Sequence, residues 1–174
     1  MLLVVKYNKE ILDNKKKQLV TRTGLFENPR PITGIVSDAS CMAEPGTIGR
    51  DGYFHGRVEW QLFDLEQGAI IHRSDIYDRS TINLGEFCAV VDALRILHDR
   101  GDHRTPVYSD SMTACSWVRK RAIKTKLPEN PETLDALICA WEAQEWLQKT
   151  RPRNTVQWWD TPQWGESPAD FGRK

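Results

Sequence analysis

The 174-residue sequence lacks a surplus of either charge, which argues against an openly basic nucleic-acid binder. Lys and Arg together number 24, and so do Asp and Glu, so any basic surface must be local. Long apolar runs are also missing. Residues 1–5 are apolar, but the run stops at Lys6, too short to span a membrane and without the charged region and cleavage site of a signal peptide. We therefore expect a cytoplasmic protein without a membrane partner.

Paired cysteines are a further absence. The four cysteines form no C-x-x-C pair and have no histidine at zinc-ligand spacing, which favours reduced thiols over a zinc site or a disulfide framework. They are Cys41, Cys88, Cys115 and Cys139. What the sequence does contain is 40% apolar and 28% charged residues without an internal repeat, as in a globular domain with a sizeable core.

A domain boundary is predicted near residues 27–31, where the run Asn28-Pro29-Arg30-Pro31 is unsuited to a helix or a central strand. Residues 1–30 carry seven basic and three acidic residues, a net charge of +4. This basic N-terminal extension is either a solvated flap or added hairpin, or a supplementary contact to phosphate. Residues 31–174 then form the main domain.

The main domain is predicted to alternate between strands and helices. Apolar runs and alternation predict strands at residues 32–37, 53–63, 69–77, 105–109 and 155–159. Helical spacing predicts one helix that begins with Asn83 as its N-cap and stops at Gly101, and two more at residues 111–119 and 131–147. The order β-β-β-α-β-α-α-β indicates an α/β fold, a mixed sheet with helices on its faces.

Three acidic residues stand at the ends of these elements. Asp38 follows the first strand, Asp110 follows the fourth, and Glu86 lies in the first turn of the first helix. If the first and fourth strands are parallel neighbours, their carboxyl ends emerge together, where open α/β sheets bind ligands. Each acid also has a purely structural interpretation: a turn residue for Asp38, a helix N-cap for Asp110, and a capping box with Asn83 for Glu86.

Clustered carboxylates repel one another, and a fold keeps such a cluster when cations neutralise it. All-oxygen ligands suit Mg²⁺ or Mn²⁺ rather than zinc, and two such ions can promote an in-line displacement at a phosphodiester. Pattern and spacing alone thus predict a divalent-metal site and leave its substrate open.

The segments that carry the acids resemble type 1 ribonuclease H, in the order Asp, Glu, Asp, Asp. They are residues 37–40 (SDAS), 81–87 (TINLGEF), 108–111 (YSDS) and 164–174 (WGESPADFGRK). The last is similar to the W-G-E-x-x-A-D-x-G-R-K ending of a short bacterial branch of that family. The resemblance runs from about residue 32 to residue 174. It implies a ribonuclease H-like fold with a five-stranded mixed sheet: strands 1–3 in an antiparallel meander, and strands 4 and 5 parallel to strand 1.

The resemblance also implies an activity and roles for the acids. The activity is hydrolysis of the RNA strand of RNA–DNA hybrids with two Mg²⁺ ions, or Mn²⁺ as a substitute, leaving 5′-phosphate and 3′-hydroxyl ends. Asp38 would bridge both ions, Asp110 and Asp170 would complete one site, and Glu86 would complete the other and contact the ribose 2′-hydroxyl. Glu166, four residues before Asp170, would assist metal exchange and product release, with a solvated loop acid as the alternative.

In this family, small polar side chains bind a phosphate of the DNA strand. Thr81, Asn83, Thr125 and Thr161 stand at matching places, and Ser40 and the basic Lys124 are further substrate-binding candidates. Three positions depart from the family's pattern: Glu44, Ile82 and Met112 stand where relatives have polar amides. Loss of those hydrogen bonds, at about 1 kcal/mol each, predicts weaker hybrid binding.

Two other functions fit the same sequence. One is a nuclease of this fold that acts on another duplex or on branched nucleic acid, and the other is a non-catalytic nucleic-acid-binding module. The complete set of four acids argues against the non-catalytic module, since an unused acidic cluster would only cost stability. A monomer is expected.

Overall fold

The computed structural model of the chain describes residues 28–42 and 56–172. Most of the predicted extension at residues 1–30, as well as Glu44, lies outside the described residues, so the domain boundary stays a prediction. The elements in chain order are β1 (Ile35–Met42), β2 (Gly56–Asp64), β3 (Ala69–Arg73), β4 (Tyr77–Ser80), α1 (Ile82–Asp99), β5 (Val107–Ser109), α2 (Met112–Lys120), α3 (Leu134–Thr150), β6 (Val156–Trp158) and α4 (Thr161–Trp164).

The strands form one mixed sheet in the order β3-β2-β1-β5-β6, with β4 also paired to β2. Strands β1, β2 and β3 are antiparallel neighbours, whereas β1 with β5 and β5 with β6 are parallel pairs. This confirms the predicted α/β fold with its antiparallel meander and its two strands parallel to the first.

The predicted third strand, residues 69–77, is divided into β3 and β4, which gives six strands among the described residues instead of five. The division lies at Ser74. Its hydroxyl accepts from the Trp60 N–H at 2.9 Å and donates to the Asp75 carbonyl at 2.7 Å. A side-chain oxygen thus replaces a backbone carbonyl in the ladder, and the regular pairing stops there.

Helix α1 begins two residues earlier than a cap at Asn83 would allow, so the predicted N-cap and its capping box with Glu86 are wrong. Thr81 is the cap: its backbone is extended and its hydroxyl accepts from the Leu84 N–H at 3.4 Å. The end of α1 is as predicted, since Gly101 has a positive φ of 69° and donates to the His98 carbonyl at 2.9 Å.

Two apolar clusters cover the two faces of the sheet. Alternation along β1 sends Ile35 and Ala39 into a large cluster with α1, α2 and α3, and Val36 into a smaller one. The smaller cluster consists of Val36, Tyr108, Trp159, Trp164 and Ala169.

The four cysteines are free, as expected. Within the described ranges, no helix has the length and apolar character needed to cross a bilayer.

Candidate metal centre

Asp38, Glu86 and Asp110 converge at one place on the sheet. Each offers one carboxylate oxygen, and these three atoms lie within 4.8 Å of one another. The cause is the parallel pairing of β1 with β5, in which Ser37 lies beside Ser109. Asp38 and Asp110 follow those two residues directly, so they emerge side by side as the sequence predicted. Strand β1 itself continues past Asp38 to Met42, so Asp38 lies within a strand and not in a turn.

Glu86 reaches the two aspartates from α1 and is only 5% exposed. Its Oε1 accepts from the Ala39 N–H at 3.2 Å, and its Oε2 accepts from the Ser109 hydroxyl at 3.3 Å. The Ser109 oxygen in turn accepts from the Ser111 N–H at 3.1 Å. Ser111, and not Asp110, caps α2, because its hydroxyl accepts from the Ala114 N–H. Asp110 is thereby left exposed beside Glu86.

The electrostatics of the site follow from this crowding. Burial raises the pKa of Glu86 well above its ordinary value, and the negative charges of Asp38 and Asp110 raise it further. The hydrogen bonds from Ala39 and Ser109 act in the opposite direction and lower that pKa. Three carboxylates with one of them buried form an all-oxygen donor set that fits a hard divalent cation. Asp38, Glu86 and Asp110 could therefore hold such an ion.

Asp170 lies outside this group of three close carboxylates. Its segment nevertheless adjoins the strand pair that carries Asp38, because the Gln61 amide donates to the Ala169 carbonyl at 2.7 Å and Gln61 is the cross-strand partner of Asp38. Glu166 is exposed in the loop after α4. The roles of Asp170 and Glu166 stay predictions.

The predicted substrate-binding residues are spread over several elements. Thr81 is the cap of α1, Asn83 is exposed in its first turn, and Ser40 is half-buried on β1. Lys124 is exposed and Thr125 half-buried in the loop after α2, where the Thr125 hydroxyl accepts from the Leu127 N–H at 3.1 Å. Thr161 is the first residue of α4.

Two positions that depart from the family's pattern expose apolar side chains. Ile82 and Met112, each the first residue of its helix, are 38% and 72% exposed. The isoleucine side chain has no polar atom and the methionine sulfur is only a weak acceptor, so neither can make the hydrogen bonds of a polar amide.

Sequence reasoning missed two residues that shape the centre. Ser109 gave no signal apart from its place beside Asp110, because its bond to Glu86 depends on how α1 packs. Gly85 stands in the quoted motif, yet a glycine inside a helix indicates a close approach only once the neighbour is known. A Cβ on Gly85 would overlap Val58 Cγ1 and lie 3.2 Å from Ala39 Cβ.

We expect Gly85→Ala to destabilise the protein. Alanine gains about 1 kcal/mol of helix propensity over glycine, but overpacking against a rigid, fully buried valine costs about 1–3 kcal/mol. The variant should also bind divalent metal less tightly, because α1 must move away from the strand that donates to Glu86. Urea denaturation measures the first effect. Asp99→Ala, an exposed change on α1, is the control, and a Gly85→Ala protein more stable than wild type would contradict the expectation.

The chain matches no protein-family model. Among solved structures, it is similar to RNase H1 from Halobacterium salinarum, with 19% identity, a TM-score of 0.40, and coverage of 73% of this chain and 84% of that one. It is also similar to an RNase H1 isolated from compost by a metagenomic approach, with 17% identity, a TM-score of 0.42, and coverage of 76% and 88%. A third is the N-terminal RNase H domain of a Mycobacterium tuberculosis protein, with 15% identity, a TM-score of 0.41, and coverage of 73% and 82%.

Proposed function

We propose that this chain is a metal-dependent endoribonuclease that hydrolyses the RNA strand of RNA–DNA hybrids and leaves 5′-phosphate and 3′-hydroxyl ends. The observation that carries the proposal is the convergence of Asp38, Glu86 and Asp110 where the parallel pairing of β1 with β5 ends. The four motifs that resemble type 1 ribonuclease H supply the substrate class.

Two Mg²⁺ ions, or Mn²⁺ in their place, are the proposed cofactors. Asp38 would hold both, with Glu86 completing one site and Asp110 and Asp170 the other. When bound, such ions neutralise the carboxylates and act as Lewis acids at the scissile phosphate. The Ala39 N–H and the Ser109 hydroxyl keep the Glu86 carboxylate oriented.

Two acidic residues would account for the selection of RNA and for the completion of turnover. Glu86 would accept a hydrogen bond from the ribose 2′-hydroxyl next to the cut, a group that DNA lacks. Glu166, exposed on the loop before Asp170, would assist metal exchange and product release.

Hybrid binding is proposed to use a basic surface that the neutral total charge conceals. Residues 119–126 contain Arg119, Lys120, Arg121, Lys124 and Lys126, all of them exposed. Five cations so close together create a local positive field for phosphates. Thr125 and Lys124 lie in this segment, and Ser40, Thr81, Asn83 and Thr161 would add polar contacts to the backbone of the hybrid. Cytoplasmic location and a monomeric state stay predictions from the sequence.

The test is a substrate panel. The protein is incubated with Mg²⁺ or Mn²⁺ and end-labelled RNA–DNA, RNA–RNA and DNA–DNA duplexes of one sequence. We expect cleavage of the RNA strand in the hybrid alone, and complete loss of cleavage when EDTA is added. The end groups are checked by ligation of the 5′-phosphate product. Cleavage of DNA, or no cleavage with either metal, would contradict the proposal.

A further inference from the structure

Gln61 is a buried amide on an interior strand of the sheet. It lies on β2 directly opposite Asp38 of β1, and it is only 4% exposed. Its Oε1 is buried and has no hydrogen-bond partner among the described residues. Burial of an amide whose carbonyl oxygen has no partner is unfavourable, and an apolar side chain at the same place in a strand avoids it. The position therefore calls for an explanation other than strand packing.

The other half of the amide makes a long-range contact. Gln61 Nε2 donates to the Ala169 carbonyl at 2.7 Å, in a buried bond that joins residues 108 positions apart. Residues 165–172 belong to no helix or strand, so no backbone ladder holds this segment to the sheet. The fully buried Ala169 side chain in the smaller core cluster and the Gln61 bond anchor its middle, and Trp159 Nε1–H donates to the Gly165 carbonyl at its start, at 2.9 Å.

The anchored segment has a defined local conformation that leads directly to Asp170. The Ala169 N–H donates to the Ser167 hydroxyl at 3.1 Å, and the Asp170 N–H donates to the Ser167 carbonyl at 3.0 Å. The Gly172 N–H donates to Asp170 Oδ1 at 2.8 Å. A turn closed in this way moves as one body, so its attachment at Ala169 sets where the Asp170 carboxylate lies.

We infer that Gln61 is a positioning residue for the metal centre: it ties the segment of Asp170 to the strand that faces Asp38. The inference rests on the proposed function, because it assigns Asp170 to the metal site. Cross-strand partners have side chains about 5 Å apart, so one amide on β2 sets the spacing between two carboxylates that are far apart in sequence. Gln61 touches neither substrate nor metal and acts through Asp170.

The experiment measures Mn²⁺ binding to the metal-free protein by titration calorimetry, in a double-mutant cycle of Gln61→Leu and Asp170→Asn. We expect Gln61→Leu to weaken Mn²⁺ binding by about tenfold, the lower end of what second-shell partners contribute. In the Asp170→Asn background the same change should alter affinity by less than about twofold, because a residue that acts only through Asp170 has nothing left to position. Equal effects in both backgrounds would overturn the inference.

Two further measurements distinguish the positioning of Asp170 by Gln61 from a general loss of stability in the variant. Gln144→Leu also removes a tertiary side-chain to backbone bond, since Gln144 Oε1 accepts from the Ile123 N–H at 2.8 Å, and it should leave Mn²⁺ affinity unchanged. A similar loss in Gln144→Leu would overturn the inference. Hydrogen exchange on the metal-free protein should show faster exchange at the Ala169 and Asp170 amides in Gln61→Leu, and unchanged exchange there would overturn it too. If Gln61→Leu does not fold, Gln61→Met takes its place.

The outcomes also distinguish this inference from the proposed function. A wild-type protein that binds no Mn²⁺ would overturn both. A wild type that binds Mn²⁺ and cleaves the hybrid, with Gln61→Leu indistinguishable from it, would overturn the role of Gln61 alone.

Discussion

Asp110→Asn should lower the rate of hybrid cleavage by at least about 100-fold, because even outer-shell partners of a metal contribute about 10–100-fold. The fold should be unaffected. Asp110 is exposed and does not cap α2. Its backbone carbonyl, which asparagine keeps, accepts from Trp158 Nε1–H at 3.0 Å. Single-turnover cleavage at saturating Mg²⁺ measures the rate, and thermal denaturation measures the fold.

The matched control for Asp110→Asn is Glu142→Gln, which neutralises an exposed acid on α3. It should leave both the rate and the melting temperature near the wild-type values. A cleavage rate near wild type in Asp110→Asn would remove this carboxylate from the mechanism. An unfolded Asp110→Asn protein would show that the aspartate is structural.

Glu86→Gln should stabilise the metal-free protein at neutral pH, although it removes a proposed ligand. The pKa of Glu86 is raised in the folded state by burial and by Asp38 and Asp110, so the fold holds this proton more tightly than the unfolded chain does. The stability from Glu86 is thus fully present below its ordinary pKa of 4.5 and is lost as pH rises toward the higher folded-state value. Glutamine has no proton to lose in this pH range, so the Glu86→Gln protein does not lose this stability.

We expect the gain in Glu86→Gln to be at least about 1 kcal/mol at pH 8, or about 2–4 °C in Tm for a chain of this size. The gain should shrink as pH falls toward 4.5, where the wild-type side chain carries its proton. Thermal denaturation in EDTA at several pH values measures it.

Addition of Mg²⁺ should make the wild type more stable than Glu86→Gln, the reverse of the metal-free order. A ligand at 100 times its Kd stabilises the native state by about 2.7 kcal/mol, and only the wild type has the full set of carboxylates. A metal-free Glu86→Gln protein less stable than wild type at pH 8 would contradict the assigned electrostatics. Equal stabilisation of both proteins by Mg²⁺ would contradict the assignment of Glu86 as a ligand.

The convergence of Asp38 and Asp110 could be predicted because it depends on topology alone. The parallel pairing of β1 with β5 ends at Ser37 and Ser109, and the next residue on each strand is one of the two aspartates, although β1 itself continues to Met42. The residues that place Glu86 could not be predicted in the same way. Ser109 and Gly85 affect the position of Glu86 through the distance between α1 and the sheet. This distance depends on packing, and no hydrophobic periodicity in the sequence indicates it.

Two local predictions, the N-cap of α1 and the unbroken third strand, were wrong. Threonine and asparagine are both good N-cap residues, so the sequence does not decide between Thr81 and Asn83. Thr81 is the N-cap because β4 ends at Ser80 and the backbone of Thr81 is still extended. Ser74 divides a predicted strand because its hydroxyl reaches the Trp60 N–H, a contact between strands that a single-strand pattern does not contain. The bond from Gln61 to Ala169 spans 108 residues and is likewise invisible to local patterns.

The parallel pairing of β1 with β5 also determines when during folding the carboxylates meet. The Ser37 hydroxyl donates to the Tyr108 carbonyl 71 residues further along the chain, so closure of a long loop precedes any shared cation. An unfolded or half-formed chain offers only scattered acids, which bind Mg²⁺ weakly. Mg²⁺ should therefore slow unfolding of the native protein and leave the refolding rate nearly unchanged.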